Sequence, residues 1–185
     1  MSRDAYHHGD LKAVILARAA DLVAERGADA ISLRELARAA GVSHAAPAHH
    51  FTDRRGLFTS LAAEGWRKLA AALDGARPEF IDAAMAYVRF ALDHPGHYAV
   101  MFDRSLVDPE NAELIAAQDA AGAELARGVG TLDDARAKKD PDSAGLAAWS
   151  LVHGFSLLWL NGNIDDKADP MEAVHRVAGM LFKSR

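Results

Sequence analysis

The segment Ser32–Phe51, SLRELARAAGVSHAAPAHHF, constrains the chain more than any other, because it specifies two short helices with a fixed turn between them. Leu33, Leu36, Ala37 and Ala40 recur at the i, i+3, i+4, i+7 spacing of one buried helical face. Ser32 followed by Glu35 forms a capping box, in which the serine oxygen takes a free backbone N–H and the glutamate reaches back to the Ser32 amide. Gly41 stands where the chain leaves the helix at positive φ, which glycine adopts without steric cost. Ser43 is expected to cap a second helix carrying His44, Ala45, Ala46, Ala48, His49 and His50, with Phe51 closing it against the core. The pattern is a helix-turn-helix, the arrangement that places a second helix in the DNA major groove.

YHHGDL at Tyr6 to Leu11, the SLRELARAAGVS core and HHFTDRRGLF at His49 to Phe58 together resemble the tetracycline-repressor (TetR) family of bacterial transcription regulators. Further along, Trp149, His153 and Gly154 within AWSLVHG resemble the signature of a TetR subfamily. The resemblance implies an all-α protein of about nine helices. Residues 8–70 would be a three-helix DNA-binding domain, and residues 78–185 a helical domain for ligand binding and dimerisation. It also implies a cytoplasmic, dimeric repressor released from a near-palindromic DNA operator by a small apolar effector. Two positions depart from the family: Ala48 stands where a phosphate-touching tyrosine is usual, and Arg54 where lysine is common. Arg34 matches a family base-contact position.

At 185 residues the chain is long for a single DNA-reading module, so something beyond DNA contact is encoded. Alanine dominates and no Val/Ile/Thr-rich alternating run occurs, which favours helices throughout and no sheet. The absence of cysteine excludes disulfides and thiolate metal sites and suits a cytosolic protein. No uninterrupted apolar run approaches the roughly 18 residues that span a bilayer, and no membrane association is expected. The net charge of −5 is opposite to that of a typical nucleic-acid binder, but it is unevenly spread. Residues 1–60 carry eight Lys/Arg against seven Asp/Glu and five of the nine histidines, while the remainder carries 13 against 19.

Periodicity predicts further helices. One spans Asp10 to about Arg26, capped by Asp10 and stopped by Gly27; another begins after Asp53 and ends between Gly75 and Pro78. A bulky apolar helix covers Glu79 to Asp93, HPG at His94 to Gly96 ends it, and a short helix follows from His97 to Phe102. Asp108-Pro109 opens a helix running to about Ala126, and Gly128 to Ser143 reads as a loop. Ala144 to Leu160 is apolar on two faces, NGNIDDKAD at Asn161 to Asp169 is a turn, and Pro170 to about Lys183 is the last helix. Leu151, Phe155, Leu158, Val174, Val177, Leu181 and Phe182 are expected to pair the last two helices with a second copy.

No HExxH, GxSxG, GxGxxG or P-loop pattern is present, and His94-x-x-His97 straddles a Pro-Gly break; no enzyme, metal or cofactor is expected. The DNA face is expected at Ser32, Arg34, Ser43, His44, Ala45, Ala46, Ala48, His49, His50 and Arg54. Between Ser43 and Phe51 there is no Lys or Arg to read guanine, so His44 would contact base edges and Ala45 and Ala46 would meet thymine methyls. Effector contacts are expected at Tyr87, Phe90, Tyr98, Phe102, Trp149 and His153, large apolar surfaces with few fixed charges. The competing reading is a helical small-molecule-binding or scaffolding protein whose helix-turn-helix no longer binds DNA.

Overall fold

The structure, a computed structural model, describes residues 3–76, 79–164 and 169–182, with side chains from Leu11 onward. Ten α-helices and one 3-10 turn account for most of it, and no strand occurs among the described residues. The chain forms two compact units, residues 1–66 with 94–117, and residues 67–93 with 118–185.

The first unit opens with α1, Arg3–Arg26, which begins earlier than the capping residue Asp10 suggests, so Asp10 lies inside the helix. Ile15, Ala19, Leu22 and Val23 are buried as the helical period predicts, Leu16 joins them, Val14 of the predicted stripe is 47% exposed, and Gly27 ends the helix at φ 77°. After the 3-10 turn Ala28–Ala30 comes α2, Leu33–Ala39, whose Ser32 cap accepts the Glu35 N–H at 3.2 Å. Only half of the capping box forms: the Glu35 carboxylate takes the Arg26 guanidinium at 2.9 Å instead of reaching back. Gly41, at φ 68°, makes the turn.

The second helix of the motif, α3, is Ala46–His50, shorter than expected and without a side-chain cap. Pro47 is the physical reason. A helix capped by Ser43 needs the residue 47 N–H to donate to the Ser43 carbonyl, and proline has no N–H. The Ala46 N–H donates to Ser43 instead, at 3.0 Å, and residues 43–45 form a turn that leads into the helix. Helix α4, Arg54–Gly75, follows Asp53, whose carboxylate accepts the Gly56 N–H at 2.8 Å.

Residues 94–117, expected in the second domain, pack with these helices. Helix α6, Pro95–Met101, lies against α1 so closely that a Cβ at Gly96 would sit 2.0 Å from the Ala20 carbonyl oxygen. Asp108-Pro109 does not open the next helix. Asn111 does, with its side chain accepting the Leu114 N–H at 3.1 Å, and α7 runs Ala112–Gly130.

The second unit packs α5, Phe80–Asp93, against α9, Pro141–Leu160, and α10, Pro170–Leu181. The expected loop at 128–143 is mostly helical. Its charged composition hides three buried anchors, Val129, Leu132 and Ala137, and Asp134 caps the short α8, Ala135–Lys139, through the Arg136 N–H at 2.8 Å. Asp140 and Asp169 cap α9 and α10. Pro78, Lys183 and residues 165–168 of the expected turn lie outside the described residues.

Gly96→Ala should therefore destabilise the protein by about 3 kcal/mol, since the added carbon meets backbone rather than a yielding side chain. Gly122→Ala, exposed in α7 with open space around it, should stabilise by about 0.5–1 kcal/mol. Urea titrations of both variants check the opposite signs.

Candidate DNA interface and effector-binding residues

The exposed positions of the motif follow from its packing. Leu36, Ala37, Ala46, Pro47 and Phe51 are buried in the first unit. That leaves Ser32, Arg34, Ser43, His44, Ala45, Ala48 and His49 on the outside. Ala46 is only 8% exposed, so it does not face outward as expected, whereas Ala45 and Ala48 do. His50 is half-buried against Phe51, with ring centroids 6.3 Å apart. It also lines an open polar cleft of about 400 Å³ with Asp53, Arg55, Thr59, Ser60 and Asp108.

Arg34 carries no carboxylate partner among the described residues, and neither does Arg38, four residues on along the same helix. Sequence reasoning passed over Arg38; its i, i+4 spacing from Arg34 was the signal. Two exposed guanidiniums thus flank a recognition segment that has none of its own.

Arg54 is otherwise engaged. Its Nε donates to the Ile31 carbonyl at 3.0 Å and a terminal nitrogen donates to the Ala28 carbonyl at 2.8 Å. The guanidinium also lies 4.7 Å over the Phe58 ring. These bonds tie the start of α4 to the turn before α2, so Arg54 fixes the motif's orientation. Beside it, Arg55 Nε donates to the Val107 carbonyl at 3.0 Å, and Thr59 accepts the Asp108 N–H at 2.9 Å.

The six expected effector contacts separate into two groups. Tyr98 and Phe102 lie in the first unit, stacked edge to face at 5.1 Å, and Phe102 meets Trp66 at 5.0 Å. Trp66 was absent from the expected set. Tyr87, Phe90, Trp149 and His153 lie in the second unit. There the Trp149 Nε1–H donates to Tyr87 Oη at 3.3 Å, and Tyr87 Oη stands 3.2 Å from His153 Nδ1. Burial holds the His153 pKa below the ordinary histidine value, because desolvation disfavours the charged ring. A separate narrow cavity of about 20 Å³ lies among Phe80, Ala84, Leu125, Val129, Ala148 and Val152, room for about one water molecule. None of the expected effector contacts lines it.

On α9 and α10, Phe155, Val174 and Phe182 turn inward, and Phe182 meets Phe80 edge to face at 5.3 Å. These three belong to the unit's own core and not to a second copy's, as the expectation had them. The exposed large apolar residues are Leu146, Trp149, Leu157, Leu158 and Leu160 on α9, with Val177 and Met180 on α10; Met180 is 85% exposed. Helix α9 is also long and apolar enough to cross a membrane by length and composition, a property that buried core helices share.

A helix-turn-helix with one face of its second helix exposed, followed by a separate helical unit, defines a class of DNA-binding regulators. Residues 15–61 match the tetR family of bacterial regulatory proteins, and residues 80–181 match the tetracyclin repressor-like C-terminal domain. The chain belongs to the TetR family. A structure of a protein of unknown function from Rhodococcus sp. RHA1 is 35% identical, with 95% of each chain covered and a TM-score of 0.74. The TetR family regulator PfmR from Thermus thermophilus is 24% identical over 92% of this chain and 99% of its own, with a TM-score of 0.65. AibR, solved with isovaleryl coenzyme A and operator DNA, is 19% identical over 95% and 100%, with a TM-score of 0.68. No curated protein sequence matches the chain.

The histidine gives a pH test. Its pKa is lowered on folding, so the unfolded chain binds the extra proton and stability falls as pH drops below the unfolded value of about 6.5. His153→Gln should remove that part of the decline between pH 7 and pH 5, read from urea midpoints at each pH. A variant whose pH slope equals the parent's would show that His153 is not held neutral.

Proposed function

We propose that this protein is a dimeric transcriptional repressor that reads a near-palindromic operator and leaves it when a small, largely apolar effector binds. The observation that carries the reading is the exposed set Ser43, His44, Ala45, Ala48 and His49, with Arg34 and Arg38 on the preceding helix, held in place by Arg54. His44 reads base edges, and Ala45 and Ala48 are small enough to let the segment sit deep against thymine methyls. Phosphate contacts come from Arg34, Arg38 and His49, with Ser32 and His50 at the margin and Arg54 positioning rather than touching. The apolar stripe of α9 and α10 supports pairing with a second copy, which would set two recognition helices about one DNA turn, roughly 34 Å, apart. The Trp149, His153 and Gly154 signature and the Tyr87 hydrogen-bond chain support effector recognition in the second unit. AibR's joint binding of an acyl-coenzyme A and operator DNA is a precedent within the same fold. TetR regulators are in general not enzymes, and no catalytic role is assigned to any residue here.

Ala48 and the absence of Lys or Arg between Ser43 and Phe51 favour one alternative, a ligand-binding protein with a lapsed DNA motif. A mobility-shift titration against the gene's own upstream region, at several salt concentrations, separates the two. The repressor binds specifically with a steep salt slope. His44→Ala should relax preference at one base pair by about 1–3 kcal/mol, and Arg38→Ala should weaken all sequences alike. Leu158→Glu combined with Met180→Glu should give monomers that bind the operator far more weakly. Equal affinity of the parent for operator and random DNA would establish the alternative.

A further inference from the structure

The open polar cleft of the first unit, about 400 Å³, falls within the range of small-molecule pockets, roughly 300–1,000 Å³. Its floor is one face of the first two turns of α4, formed by Arg55, Gly56, Thr59 and Ser60. Asp53, before α4, supplies one wall, and Asp108 and Asn111, before α7, supply the other. Hydrogen bonds fix these walls. Arg55 Nε donates to the Val107 carbonyl at 3.0 Å, while Thr59 Oγ1 donates to the Arg55 carbonyl at 2.7 Å and accepts the Asp108 N–H at 2.9 Å. One side-chain oxygen each of Asp53, Asp108 and Asn111 accepts a backbone N–H within its own turn. Other polar groups of the same side chains are left over. Among the described residues, the terminal nitrogens of Arg55, the amide nitrogen of Asn111, the Ser60 hydroxyl and the second oxygens of Asp53 and Asp108 make no hydrogen bond within the chain.

Gly56 adds a second observation. Glycine in a helix costs up to about 1 kcal/mol relative to alanine. Nothing inside the chain requires it here, because a Cβ would meet only the Asp53 carboxylate at 3.6 Å and Thr52 Cβ at 4.0 Å, ordinary contact distances. What the missing side chain provides is an open floor.

We propose that this cleft binds a small neutral polyol of monosaccharide size, whose adjacent hydroxyls donate to Asp53 and Asp108 and accept from Arg55 and Asn111. A hydroxyl fits because it donates and accepts at once and brings no charge. An anion, a DNA phosphate included, would meet two carboxylates, and a cation would lie against the Arg55 guanidinium. Hydrogen bonds to charged partners are the stronger kind, and a cleft already held in shape needs little ordering on binding. The site is separate from the apolar effector contacts Tyr87, Trp149 and His153, which lie in the other unit, and it goes beyond the repressor reading.

The test uses the full chain, labelled with nitrogen-15 and free of DNA, so it is independent of the operator titration. The probes are D-glucose, D-galactose, D-ribose and myo-inositol, with cyclohexanol, inorganic phosphate and spermidine as comparators. At least one polyol should shift the Arg55 Nε–H, the Asn111 side-chain amide and the Gly56 and Ser60 amide signals, with a dissociation constant of about 1 mM or tighter. Each comparator should bind at least about tenfold more weakly. Asp108→Asn keeps the oxygen that accepts the Glu110 N–H and should weaken that polyol about tenfold, the difference between a charged and a neutral acceptor. Gly56→Phe fills the floor and should abolish binding, with a urea midpoint no lower than the parent's. Should Gly56→Phe fold poorly, the parent and Asp108→Asn titrations decide alone. Dissociation constants above about 10 mM for all four polyols, tighter binding of phosphate or spermidine, or unchanged polyol affinity in Asp108→Asn overturns the assignment.

Discussion

Two hydrogen bonds from one guanidinium hold the DNA-reading part of this chain in place. Arg54 opens α4 and donates to the carbonyls of Ile31 and Ala28, which lie just before α2. The Ala28 carbonyl also accepts the Ile31 N–H at 3.0 Å, and a charged donor adds more to each carbonyl than a neutral one. With the Phe58 ring beneath it, the side chain closes a loop of 23 residues that contains the whole helix-turn-helix. The motif itself is slight, a seven-residue and a five-residue helix, and neither length is stable alone. Its geometry is inherited from α1 beneath it and from Arg54 at its end.

This arrangement gives Arg54 a positioning task that its place in the sequence does not announce. A basic residue at the start of α4 resembles a phosphate contact when seen as sequence, because charge and position are all that can be read. Its backbone acceptors lie 23 and 26 residues away and carry no side-chain signature. The same limit applies to Ala46, since alternation of small residues does not say which one turns inward. Pro47 was different: its missing N–H alone moves the start of α3 past Ser43, and that reading was open from the sequence.

Helices with a strong apolar period, α2, α5 and α10, fell close to their expected bounds because burial of one face decides them. The 128–143 segment failed for the opposite reason. Its anchors, Val129, Leu132 and Ala137, are too sparse to set a period, while Asp134 and Asp140, turn formers by composition, act as caps. The grouping of 94–117 with the N-terminal helices depends on Gly96 against the Ala20 carbonyl, a backbone contact that no side-chain pattern reports. Of the aromatic residues expected to meet an effector, sequence placed all six in one set. The fold divides them, joining Tyr98 and Phe102 to Trp66 and joining Trp149 to Tyr87 and His153.

The positioning role of Arg54 is tested most directly by amide hydrogen exchange on Arg54→Met, which keeps an apolar stem over Phe58 but has no donor for the two carbonyls. Amides of residues 33–50 should exchange at least about tenfold faster than in the parent, the equivalent of roughly 1.4 kcal/mol of local stability. Amides of α5 in the other unit, residues 80–93, should be unchanged. Equal protection of residues 33–50 in the two proteins would contradict the assignment and return Arg54 to the surface as a free phosphate contact.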